Sequence, residues 1–169
     1  DGEHFTITEL DGTPAPYRSG GPPLLVGAGA PRMLRYAGVH ADIVGVNPSI
    51  HSGAIDEDAA RDAHADRIDE KLGWLREGAG ERFDDLELNA WLAMAEVTDT
   101  ARATAEALAP AFGTDTDGLL GSPMVLLGTV DEIVDRLLDR RDRWGYSYVV
   151  VPQAAAQTFA PVVARLDGR

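Results

Sequence analysis

The chain has 169 residues, 44% of them hydrophobic and 25% charged, which fits one compact domain of ordinary size and excludes a disordered or fibrous polymer. Its 15 basic residues face 28 acidic ones, a formal charge of -13, so the summed field repels nucleic acid and acidic membrane surfaces. The absence of cysteine excludes disulfides, thiolate nucleophiles, iron–sulfur clusters and thiolate zinc sites, and no apolar run approaches the roughly 20 residues needed to cross a bilayer.

The sequence opens on Asp1-Gly2-Glu3-His4, with neither an initiator Met nor a signal-like start, so we expect further sequence ahead of it. Residues 1–21 read as an arm: EHFTITEL partly alternates apolar and polar residues, predicting a short strand or hairpin arm lying over something else. Leu24-Leu25-Val26 is a short apolar run of the kind buried in a parallel sheet, and glycine follows at once. Pro31 opens a helix with Met33, Leu34, Ala37 and Ala41 on its apolar stripe. Ile43 to Val46 is the second strand, and Asn47-Pro48-Ser49 begins a long exposed loop reaching Asp58.

A helix is predicted from about Ala59, with Ile68, Leu72 and Leu75 facing the core and Gly78 and Gly80 supplying its stop. The third strand runs from Leu86 to Val97, and Asp99 or Thr100 caps an alanine-rich helix that Pro110 or Gly113 closes. The acidic stretch around Asp115 and Asp117 reads as a solvated loop, while Met124 to Leu127 is too short to assign by periodicity. Thr129 and Glu132 have capping-box spacing ahead of a helix carrying Ile133, Val134, Leu137 and Leu138. Tyr146 to Val151 is the clearest strand, and a helix from about Gln157 to Leu166 ends the chain. This order predicts an arm followed by four strand–helix units, an α/β fold with a parallel sheet and outer helices. Such a sheet fits either a small three-layer domain or half of a closed barrel, and the latter leaves two strand edges and an apolar inner face to be covered.

Chemistry is sparsely marked. The turn Gly27-Ala28-Gly29-Ala30-Pro31 lets backbone approach a ligand and aims helix amides at an anion, but its spacing matches neither GxGxxG nor a P-loop, so tight packing explains it equally well. Arg32 could reach a phosphate or form a surface pair. Asn47 and Ser49, at the same end of the sheet, can donate to a phosphate or polar cofactor tail, and His51 lies in the same loop. His4, His40, Asp42 and His64 have no metal-ligand spacing, so no metal site is expected. Asp56-Glu57-Asp58 and Asp84-Asp85 read as solvated, and no serine sits in a nucleophile elbow. Trp74, Trp144, Tyr146 and Tyr148 read first as packing residues, whereas Trp91 could face either layer.

Three segments in order, PPLLVGAGAPRMLRYAGVHADIVGVNPS, EKLGWLREGAGERFDDLELN and LLGTVDEIVDRLLDRRDRWGYSYVVVP, resemble the carboxyl-terminal half of luciferase-like monooxygenases, most closely the branch that uses the deazaflavin coenzyme F420. The resemblance runs over nearly the whole chain. It implies strands five to eight of a (β/α)8 TIM barrel: residues 1–21 precede strand five, and residues 22–169 carry the four strands with their helices. It also implies that Gly27, Ala28, Gly29, Ala30 and Pro31 form the turn whose backbone meets the phosphate-bearing tail of the cofactor, with Asn47 and Ser49 beside it. Ala28 and Ala30 depart from the more usual glycines.

The activity implied is hydride transfer between F420 and a small organic substrate. FMN in a flavin monooxygenase is the alternative cofactor, and a noncatalytic half-barrel assembly module the alternative role. Groups around the reactive ring come mostly from the early strands in this family, so catalytic residues are not assigned. The implied partners are the missing amino-terminal half of the barrel or a second copy of the chain, in a cytoplasmic setting with no nucleic acid and no membrane.

Overall fold

The computed structural model describes residues 1–50 and 57–168. Its elements follow in order as β1 (Leu25–Ala28), α1 (Pro31–His40), β2 (Ile43–Val46), α2 (Glu57–Arg61), α3 (Ala65–Ala79) and β3 (Glu87–Trp91). Then come β4 (Met94–Val97), α4 (Ala101–Leu108), α5 (Thr116–Gly121), β5 (Val125–Gly128), α6 (Val130–Trp144), β6 (Tyr146–Val150) and α7 (Ala160–Leu166). Strands β1-β2-β3-β6 form one sheet in that order, every pair parallel, and β4-β5 form a second parallel pair. This is an α/β fold with a four-stranded parallel sheet flanked by helices, consistent with half of a TIM barrel. Among the described residues no helix is long and apolar enough to cross a membrane.

Alternation along the strands sorts the sheet into two faces. Val26, Ala28, Val44, Val46, Leu88, Ala90 and Tyr146 pack with Leu34 and Ala37 of α1 and Ile68, Leu72 and Leu75 of α3 in the main core. Helices α1 and α3 cross closely enough that a Cβ on Gly78 would overlap the Arg35 backbone. A second core joins α6 and α7 through Leu92, Leu126, Ile133, Phe159 and Val162, and a third gathers Ala105, Leu119, Val125 and Leu127 around β5.

Local signals set several element ends. Thr129 accepts from the Glu132 amide while Glu132 accepts from the Thr129 amide, completing the capping box that starts α6. Gly145 ends that helix at φ 82°, a left-handed conformation that costs glycine little. Arg140, buried on α6, donates to the carbonyls of Ser122, Pro123 and Val125 and so fixes the entry to β5. Burial lowers its pKa to about 10.

The structure corrects the sequence reading at several places. Residues 1–24 contain no strand, and Phe5, Ile7, Leu10 and Tyr17 are exposed: the arm pairs with no strand among the described residues, the outer edge of β1 included. Met33 is exposed while Leu34, Ala37 and Gly38 are the buried residues of α1. The helix expected from Ala59 is two helices, interrupted at Asp62 to His64, where Asp62 is drawn into a buried ion pair. Gly78 lies within α3, and Gly80 at φ 57° is the residue that ends it. The expected third strand divides: β3 joins the main sheet, whereas β4 leaves it to pair with β5. Asp115 and Asp117 lie in or next to a helix; Asp115 caps α5 by accepting from the Gly118 amide, and Asp117 pairs with Arg102. The final helix starts at Ala160, after a short 3-10 turn.

Candidate functional site

The carboxyl ends of β1 and β2 are pressed together. A Cβ on Gly29 would lie 2.7 Å from the Asn47 carbonyl oxygen and 2.8 Å from the Pro48 carbonyl, so only glycine lets these two segments meet. A Cβ on Gly27 would stand 3.0 Å from the Asn47 amide nitrogen. The glycines of the turn are thus explained first by packing of one loop on the other. That packing in turn brings the segment Gly27 to Pro31 against Asn47.

Lys71 of α3 holds the junction from beneath. Its side chain is fully buried, and its ammonium donates to the carbonyl oxygens of Gly29 at 2.8 Å and Asn47 at 3.1 Å while pairing with the Asp62 carboxylate. Asp62 also accepts from the Ser49 amide at 2.7 Å and from Arg67 Nε at 3.1 Å. Burial would raise the Asp62 carboxyl, but the hydrogen bonds from Lys71 and Ser49, the Lys71 charge and the Arg67 hydrogen bond together hold it below its ordinary value. Burial lowers the Lys71 pKa, and Asp62 opposes the shift.

Above this junction lies a cleft of about 280 Å³ lined by Gly29, Ala30, Pro31, Ser49, Arg67 and Trp74, with Asp58 and Asp62 at its wall. Helix α1 opens on it without a side-chain cap, since Ala30 occupies the N-cap position and Pro31 follows. First-turn amides of an uncapped helix carry positive potential that favours an anion. Arg32 is exposed, and among the described residues the guanidinium lining the cleft belongs to Arg67.

The second part of the site is the face of the sheet turned away from the helices. Gly27, Gly45, Asn89 and Tyr148 stand at one register level across all four strands. Ser147 is an extra residue between the pairs Leu88–Tyr146 and Asn89–Tyr148, which turns Tyr146 into the helix-side core and Tyr148 to the other face. Asn89 donates through Nδ2 to the Tyr148 carbonyl at 3.0 Å. A Cβ on Gly45 would lie 3.2 Å from Asn89 Oδ1 and 3.5 Å from Asn47 Nδ2, so the two asparagine amides lean over a floor of glycine. Asn47 Oδ1 is buried with no hydrogen-bond partner. Trp91 and Tyr148 are each 40% exposed on or beside this face, and Leu25 is 46% exposed.

The fold therefore gathers Gly29, Ala30, Pro31 and Ser49 at the cleft and places Gly27 and Asn47 beside it on the open face, while Ala28 points into the core. His51, Ser52 and Asp56 lie outside the described residues. Sequence reasoning missed Lys71, Asp62, Arg67 and Asn89. Lys71 gave one usable signal, a cation on the stripe one residue before Leu72 and three after Ile68, but its partners are 9 to 42 residues away in the chain. Beyond Pro48 and Trp91 an apolar hollow of about 30 Å³, bounded by Ala63, Phe112 and Met124, has room for little more than a solvent molecule.

No family model matches the sequence, and no curated protein matches it. The fold does match solved structures, each over about half of the matched chain's length, so what this chain shares with them is a half-barrel fold. An F420-dependent tetrahydromethanopterin reductase from Methanopyrus kandleri aligns over 87% of this chain and 50% of its own, at 19% identity and a TM-score of 0.57. An F420-dependent secondary alcohol dehydrogenase, in complex with an F420–acetone adduct, aligns over 96% of this chain and 52% of its own, at 14% identity and a TM-score of 0.60. A long-chain alkane monooxygenase aligns over 87% and 41%, at 16% identity and a TM-score of 0.50. The chain spans about half the length of these structures.

Proposed function

We propose that this chain is the carboxyl-terminal half of an F420-dependent oxidoreductase of the luciferase-like family, acting on a small organic substrate. The observation that carries the reading is the junction itself. A glycine turn, an uncapped helix start and a guanidinium line one cleft at the carboxyl end of a parallel sheet, where barrel enzymes of this architecture hold their ligands. Two of the matching structures described above are named for F420, which favours the deazaflavin over FMN.

The residues present fit a phosphate-bearing cofactor. The Ala30 and Arg32 amides and the part of the Arg67 guanidinium not engaged by Asp62 and Glu70 supply donors for the phosphate, and Ser49 adds a hydroxyl. The orphaned Asn47 oxygen is an acceptor, which suits a hydroxyl of the tail rather than the phosphate. Bound F420 would supply a ring carbon that gives or takes a hydride. This chain's part is to grip the tail, to offer Trp91 and Tyr148 as one apolar wall, and to set the ring's position against the substrate. The substrate and the direction of the reaction belong to the complete site.

Completion requires cover for the open face. Leu25, Trp91 and Tyr148 are exposed there, and the outer edges of β1 and β6 end the sheet order, so an amino-terminal half of the barrel is the expected partner and a second copy the alternative. The same exposure supports a second reading, a half-barrel assembly module without catalysis.

Absorbance titration of the chain with F420 and with FMN, beside native mass measurement, separates these readings. Saturable binding, tighter for F420, by an assembled species is the expected result. Self-association with no binding of either cofactor overturns the oxidoreductase and leaves the module.

A further inference from the structure

Lys71 has no part yet in the ligand chemistry. Its three ammonium donors all go to the junction, two to backbone carbonyls on separate segments and one to Asp62, which itself takes the Ser49 amide. Three residues of the sequence motif at the ends of β1 and β2, Gly29, Asn47 and Ser49, are thus tied to one ion pair. For burial alone an apolar side chain of similar length would serve as well or better, because desolvating an ammonium costs more than most pairings return. What the ammonium adds is direction.

The Gly29–Ala30 peptide is trans, so its carbonyl and its N–H point to opposite sides. With the Gly29 oxygen held inward on Lys71, the Ala30 N–H faces away from Lys71, and Ala30 lines the cleft. The Asn47 carbonyl is turned inward by the same group, which fixes the segment carrying the Asn47 side chain and Ser49. Asp62 and Arg67 complete the set, so the guanidinium in the cleft is anchored to the same carboxylate.

We propose that Lys71 is a positioning residue: by holding the Gly29 and Asn47 carbonyl oxygens inward, it aims the Ala30 amide at the phosphate of the cofactor tail. This rests on the cofactor reading above. It differs from a purely structural role in one measurable respect. A structural residue supports ring and tail binding alike, whereas Lys71 acts on the phosphate alone.

The test compares, in the full chain, affinity for FMN with that for riboflavin, and for F420 with that for the same deazaflavin lacking its phosphate-bearing tail. Lys71→Met with Asp62→Asn removes the pair without stranding a carboxylate. The expected result is a cooperatively folded variant whose affinity for the phosphate-free ligands stays within about twofold, while the advantage conferred by the phosphate falls about tenfold, the loss of one charge-assisted contact. An unchanged phosphate advantage in the folded variant overturns the proposal.

Should the double variant not fold, the Ala30 amide resonance of the unaltered chain decides. It should move when FMN or F420 is added and stay when the phosphate-free ligands are added, and no movement with either phosphate-bearing ligand overturns the proposal. An unaltered chain that binds both forms of a ligand equally sinks the role of Lys71 and leaves the oxidoreductase reading standing. One that binds neither F420 nor FMN sinks both.

Discussion

The two faces of the sheet are built from different materials. Toward the helices stand Val26, Val44, Val46, Leu88 and Ala90, closed over by α1 and α3. On the other face, at the middle register level, stand Gly27, Gly45, Asn89 and Tyr148, with the Asn47 and Asn89 amides over the glycines. The first face buries apolar area and holds the domain together. The second gives up part of that stabilisation: Gly45 and Asn89 are buried there, while Leu25, Gly27, Trp91 and Tyr148 stay exposed. The packing face and the candidate binding face therefore sit on alternate residues of the same strands, and substitutions one position apart should have unlike effects.

Truncating the helix side should give the largest loss. Leu72→Ala removes a side chain with 1% exposure from the main core and should cost about 2–5 kcal/mol, read as a fall in the denaturant midpoint. A change below 1 kcal/mol would mean that the core carries less of the fold than its burial implies. Tyr148→Ser, on the open face of β6, should shift the same midpoint far less while weakening cofactor binding or association.

Gly29→Ala tests the junction between the two faces. The new methyl meets the Asn47 and Pro48 carbonyls at 2.7–2.8 Å, so the segments must separate, at a cost of about 1–3 kcal/mol and with weaker binding of any phosphate-bearing ligand. Stability and binding both equal to the unaltered chain would remove the close approach as the reason for glycine.

Capping should have a smaller and purely conformational effect. Thr129→Ala removes the side-chain oxygen that accepts from the Glu132 amide and should cost about 1 kcal/mol in chemical denaturation, with ligand affinity unchanged. Acid should act through Asp62. Its folded-state pKa lies below the ordinary 3.8, so its contribution is fully present above that value and is lost as pH falls through the lowered one. Asp62→Asn should flatten that part of the stability profile below pH 4. The exposed pair Arg165–Asp131 closes the series, and Arg165→Ala should change stability by no more than about 0.5 kcal/mol.

Much of this was legible in the residues. The second strand was read at Ile43 to Val46 and lies there, the capping box at Thr129 was read from its spacing, and the burial of Ile68, Leu72 and Leu75 followed from helical periodicity. Each depends on residues within about one helical turn or one strand, and the side chains alone state the preference. At the site, Gly29 and Ser49 were read as neighbours because both follow strands of one parallel sheet.

Tertiary structure decided what depends on distant partners. The arm at Phe5 and Ile7 alternates like a strand but pairs with no edge among the described residues, so pattern without a partner makes no strand. The strand through Ala90 and Leu92 divides because β5, more than 30 residues later, offers its upper half a different neighbour. Lys71 looks from the sequence like one more surface cation on a helix. Only the crossing of β1 and β2 over α3 sets two carbonyls and a carboxylate around its ammonium, because a buried charge is tolerated where separate segments bring it enough acceptors.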